Sequence, residues 1–133
     1  MVIKVLLADD HTVLRDGLRY LLEAQGDIEI VGTAANGKEA VEQAIRDCPD
    51  VVLMDISMPL MNGIEATQQI REFCPRTQVA ILSIHHATEH IQRALQAGAA
   101  GYLIKESAGM EVVQAIRAIH SGRHYFSQKI VRS

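Results

Sequence analysis

Residues 51–63 read VVLMDISMPLMNG. Four apolar residues run into a single acid, Asp55, and the chain then passes through Met58-Pro59 and Asn62-Gly63. A short, unbroken apolar run bounded by turn residues reads as a strand covered on both faces. The acid is what that strand delivers to the edge of its sheet, and Pro59 and Gly63 shape the turn into the next helix.

The same pattern extends in both directions. Residues 2–8 read as a buried strand, and Val13, Leu14, Leu18, Leu21 and Leu22 follow at helical spacing until Gly26. Residues 28–35 form a second strand closed by Asn36-Gly37. Ala40, Val41, Ala44 and Ile45 line one face of a helix that Pro49 terminates. After the third strand, residues 64–73 are a helix, 78–82 a strand, 89–97 a helix stopped by Gly98, and 102–104 a short fifth strand. Met110, Val113 and Ile116 mark a last helix ending near Gly122, and the polar residues 123–133 read as a tail or linker. Five βα units in strict alternation predict an α/β fold: a doubly wound, five-stranded parallel sheet with five helices. The ligand site of such a sheet lies at the carboxyl ends of its strands.

The bulk properties exclude several classes. A length of 133 residues suits one domain, and 48% hydrophobic residues suffice for a full core. A net charge of −3 without a long block of one sign argues against a general nucleic-acid or anionic-membrane binder. Neither a bilayer-spanning apolar stretch nor a signal-peptide pattern is present in the sequence, so a cytoplasmic location is expected. Cys48 and Cys74 each precede a proline, without a CxxC or Cys/His spacing, and read as reduced thiols.

The residues just past the strand ends carry the chemistry. Asp9 and Asp10 come after the first strand, Asp55 after the third, Ser83 after the fourth and Lys105 after the fifth. In a parallel sheet these ends share one edge. Three carboxylates in one crevice repel unless a cation neutralises them, and a hard divalent ion such as Mg²⁺ is the natural choice. A carboxylate between Mg²⁺ and a lysine is placed to attack a phosphoryl group, giving an aspartyl phosphate. Singly, each residue has a plainer reading: Asp9 and Asp10 as caps of the first helix, Asp55 as a turn acid, Lys105 as a solvated lysine. His85, His86 and His90 read as a solvated loop, and Met54, Met58 and Met61 as packing residues.

With Ala8-Asp9-Asp10-His11, the stretch from Met54 to Gly63, Leu82-Ser83 and Gly101-Tyr102-Leu103-Ile104-Lys105, the chain resembles the receiver domain of two-component response regulators, which has a flavodoxin-like fold. The resemblance covers roughly residues 2–121. It implies that Asp55 accepts a phosphoryl group from a histidine kinase. Asp10, Asp55 and the backbone carbonyl of Ser57 would bind Mg²⁺ directly, with Asp9 beside it or acting through water. Ser83 would hydrogen-bond the phosphoryl group and Lys105 would pair with it. Ser83 and Tyr102 would then act as a switch: the hydroxyl is drawn in, the ring turns inward, and the surface of the fourth helix, fifth strand and fifth helix changes.

Lys105 is followed by Glu106 rather than proline, and residues 119–127 (IHSGRHYFS) resemble the exit from receivers of the NarL/FixJ (LuxR-type transcriptional regulator) subfamily. This implies a receiver over residues 1–122 and, at 123–133, the start of a linker to a C-terminal helix-turn-helix domain absent from this chain. Transcription would be controlled through that domain, which alone would touch DNA. The implied partners are a histidine kinase and, on phosphorylation, a second copy of the chain; no membrane is implied. The alternative is a stand-alone receiver that signals through protein partners. A receiver assists its own phosphorylation and dephosphorylation without being an enzyme in the ordinary sense. An aspartyl phosphatase would carry D-x-D, whereas Asp55 is followed by Ile56-Ser57. Ile84 stands where many receivers have a small residue, and is expected to slow phosphoryl exchange with small donors and hydrolysis.

Overall fold

The computed structural model describes residues 2–85, 87–107 and 109–131, with residues 107, 129 and 131 as backbone only. In chain order the elements are β1 (Ile3–Ala8), α1 (Thr12–Glu23), β2 (Ile28–Ala34), α2 (Gly37–Asp47), β3 (Val51–Asp55), α3 (Gly63–Phe73), β4 (Gln78–Ser83), α4 (Thr88–Gln96), β5 (Gly101–Ile104), α5 (Met110–His120), β6 (Tyr125–Phe126) and α6 (Gln128–Val131). One 3₁₀ turn, Lys105–Ser107, follows β5. The sheet order is β2-β1-β3-β4-β5-β6, and every neighbouring pair is parallel.

The two-residue alternation of a strand divides the core between the sheet's faces. Leu6, Val52, Met54, Ile81, Tyr102 and Ile104 pack with α2, α3 and α4 on one face. Val5, Leu7, Leu53, Leu82 and Leu103 pack with α1 and α5 on the other. All five residues of β3 are buried, as expected of a central strand covered on both sides.

Two Asn-Gly pairs set the helices that flank the site. Asn36 and Asn62 are the N-caps of α2 and α3; each side chain accepts a hydrogen bond from the backbone three residues on, at 2.9 Å, and donates back to that glutamate. The glycines allow close approach. A Cβ on Gly63 would lie 2.1 Å from the Asp55 carbonyl oxygen, and one on Gly37 would lie 2.1 Å from that of Met61. Gly63 thus lets α3 start directly against the end of β3, which explains why the turn after Asp55 closes on glycine.

The sixth strand goes beyond the five expected. Residues read as a polar tail instead run along the edge of β5. The amide of Tyr125 donates to Ala100 O (3.1 Å) and that of Ser127 to Tyr102 O (3.0 Å). Ser127, fully buried, accepts from the Ile104 amide (3.3 Å) and donates to the Glu111 carboxylate of α5. Arg117 of α5 clasps Asp27, before β2, through two 2.9 Å contacts. Among the described residues, no helix is long and apolar enough to cross a membrane.

Candidate phosphoryl-acceptor site

Three strands deliver the acidic cluster. Asp9 follows β1, Asp55 ends β3, and Lys105 follows β5, all at the carboxyl edge of the sheet. Lys105 Nζ lies 3.1 Å from Asp55 Oδ2 and 3.4 Å from Asp9 Oδ2. One ammonium therefore faces two buried carboxylates, 4% and 2% exposed. The Ser57 amide donates to Asp55 Oδ1 at 3.2 Å. Asp10 is exposed at the rim. Ligand atoms of Asp9, Asp10, His11 and Asp55 all lie within 4.8 Å of one another.

Burial pushes the Asp55 carboxyl up to about 6; the Asp9 charge adds to the rise, and Lys105 and the Ser57 amide oppose it. Asp9 Oδ2 and Asp55 Oδ2 are buried without a directed hydrogen bond among the described residues, although both face the lysine. With Arg15 they line a void of about 10 Å³, on the order of one water. Hard oxygen donors converging with two such orphaned atoms fit a hard divalent cation.

His11 enters this cluster although its role was not read from the sequence. Its Nδ1 lies 3.0 Å from Asp9 Oδ1, 3.4 Å from Asp10 Oδ1, 3.7 Å from Asp55 Oδ2 and 2.9 Å from Lys105 Nζ. A single ring nitrogen donates to Asp9 or accepts from Lys105, not both at once. The signal was adjacency: His11 directly follows the acid pair, but its ring direction is set by side-chain torsions that spacing does not report. Arg15, one turn on, donates to Asp9 O at 3.1 Å. Asp9 does not cap α1 through a helical N–H beyond its start; its carboxylate accepts from the amide of His11, the N-cap residue.

Ser83 ends β4, one residue past Leu82, the register partner of Asp55, and is buried. Its hydroxyl accepts from the His85 amide at 2.9 Å. The Tyr102 ring is fully buried, and its hydroxyl donates to His85 O at 2.6 Å. Burial raises the Tyr102 pKa, against the opposing effect of Ser83. Ser83 and Tyr102 are thus joined through the backbone of one residue, and the ring already lies inward. Ile84 is 62% exposed and directly follows the end of β4.

The other described histidines stay out of the acidic cluster. His85 and His90 stack face to face, centroids 4.6 Å apart, and neither joins the metal-competent cluster among the described residues. His86 lies outside the described residues. Met54 and Met58 are buried and Met61 packs against the same core.

Comparison with known proteins agrees with this arrangement. Residues 5–117 match the family described as response regulator receiver domain. Response regulator UvrY of Escherichia coli (strain K12) is 42% identical over 131 residues, covering 98% of this chain. The chain spans 60% of that protein's length. A two-component response regulator of the LuxR family from Aurantimonas sp. SI85-9A1 superposes with a TM-score of 0.94 at 36% identity, covering 99% of this chain and 94% of that one. The signal receiver domain of NarL from Mycobacterium tuberculosis gives 0.88 at 35% identity, covering 92% and 98%. The chain belongs to the response regulator receiver domain family of two-component systems.

Proposed function

We propose that Asp55 accepts a phosphoryl group from a histidine kinase and that the resulting charge switches the surface built by α4, β5 and α5. The observation that carries this reading is the pairing of buried Asp55 with Lys105 at 3.1 Å, beside Asp9, at one edge of the sheet. The Asp55 carboxylate forms the new P–O bond as the P–N bond to the donor imidazole breaks, and the imidazole leaves with the electron pair. Lys105 neutralises charge on the transferred oxygens. Ser83 turns its hydroxyl from the His85 amide to a phosphoryl oxygen, which frees the partner that also holds Tyr102. Asp10, Asp55 and the Ser57 carbonyl would hold Mg²⁺, with Asp9 beside them or acting through water. When bound, the ion offsets the charge of the carboxylates and of the phosphoryl group.

In the longer protein, residues 1–122 act as the receiver and residues 123–133 lead toward a C-terminal helix-turn-helix domain. Phosphorylation there controls DNA binding, with pairing of two receivers as one route. The length of the relatives beyond this chain supports that reading. It works as a switch in the cytoplasm rather than as an enzyme in the ordinary sense.

Intact mass after incubation with acetyl phosphate and Mg²⁺ tests the core claim. One phosphoryl group is expected on the wild type and none on Asp55→Asn or without Mg²⁺. An adduct that survives Asp55→Asn would reject Asp55 as the acceptor.

A further inference from the structure

The sequence sets Cys48 and Cys74 apart; the fold brings them together. Each ends a helix: Cys48 is the C-cap of α2 and Cys74 the C-cap of α3. The Cys74 thiol donates to Ala44 O at 3.5 Å, and the same carbonyl accepts the Cys48 amide at 2.8 Å. The Cys48 thiol donates to the next carbonyl, Ile45 O, at 3.7 Å. Both sulfurs therefore hang on adjacent carbonyls of the last turn of α2. They line one cavity of about 510 Å³, walled by Phe73 and Arg76. Cys48 is exposed and Cys74 is buried. Cys48 also holds φ at 44°, a left-handed position usually given to glycine or asparagine.

We propose that Cys48 and Cys74 are a redox pair that closes to an intramolecular disulfide between α2 and α3, with a low-molecular-weight disulfide as oxidant. The exposed Cys48 thiolate attacks one sulfur of the reagent; the reagent's S–S bond breaks and one small thiol leaves. Cys74 then gives up its proton to solvent and attacks the Cys48 sulfur; the mixed S–S bond breaks and the second small thiol leaves. The chain loses two protons and two electrons, and the reagent takes them up to become two thiols. The order follows from the site. Burial, and then the neighbouring Cys48, raise the Cys74 thiol above its ordinary pKa, so it waits as the resolving partner. The pair sits where β3 and β4 begin, at the sheet edge opposite Asp55.

The test is incubation of the native chain with oxidised glutathione, an acid quench, alkylation of remaining thiols under denaturing conditions, and intact mass. Wild type is expected to lose two hydrogens and both alkylatable thiols, reversibly with reductant, and a non-reducing peptide map links the two cysteines. Cys74→Ser is expected to stop at one glutathione on Cys48. The oxidised chain is expected to melt several degrees higher than the reduced one, because the bond closes a loop in the unfolded chain. Three outcomes would overturn the proposal: wild type stopping at the mixed disulfide with Cys74 still alkylatable, cross-links only between chains, or closure only after unfolding in urea.

Discussion

Asp55 keeps a carboxylate out of water beside a second carboxylate, with one lysine between them. Its carboxyl is pushed up to about 6. The unfolded value is about 3.9, so between these values the folded chain binds more protons than the unfolded one. Stability therefore falls as pH rises through that window and stays lower above it. A difference of this size is worth at most roughly 3 kcal/mol. Asp55→Asn is expected to raise the melting temperature near neutral pH in a chelator and to flatten its pH dependence in mild acid. An unchanged or lower melting temperature would mean that Lys105 already balances the site. Ile84→Ala is expected to speed phosphorylation by acetyl phosphate and hydrolysis of the product; unchanged rates would remove Ile84 as a barrier. Asp9, Asp10, Asp55, Ser83 and Lys105 were legible in the sequence because each stands at the end of a strand, and strand ends in a parallel sheet share one edge. His11 was not, because the direction of a ring leaves no periodic trace.

The helices and main strands were legible because their apolar spacing repeats over several residues, as in α1 and β3. β6 was not. Tyr125-Phe126 is too short to show a period, and it becomes a strand only because β5 would otherwise leave an open edge. Its hold depends on Ser127, whose hydroxyl serves both the Ile104 amide and the Glu111 carboxylate. Ser127→Ala removes a partner from the buried Ile104 amide and from the half-buried Glu111 carboxylate, and is expected to cost about 1–3 kcal/mol in urea unfolding. The turn after β3 is held more tightly still. Gly63→Ala would press a methyl group into the Asp55 carbonyl and move Asp55 itself. Loss of phosphorylation together with stability is expected, by intact mass and urea unfolding, whereas Ser127→Ala is expected to spare the acceptor.

The molecule separates its chemistry along the strands: carboxylates and lysine at one edge of the sheet, thiols at the other. That first edge is where Mg²⁺ is expected to act. Titration with the ion should raise the melting temperature in step with the logarithm of its concentration once binding saturates. Asp10→Asn, at an exposed position, should weaken that response without lowering stability in a chelator; an unaltered response would take Asp10 out of the ligand set. The βα alternation made this polarity readable from the sequence. The meeting of Cys48 and Cys74 was not readable, because it depends on how two neighbouring helices end against each other. One further consequence lies in how the chain leaves the sheet. The Ser127 amide is fastened to the carbonyl of Tyr102. The chain therefore leaves the sheet from a point one backbone hydrogen bond away from that tyrosine.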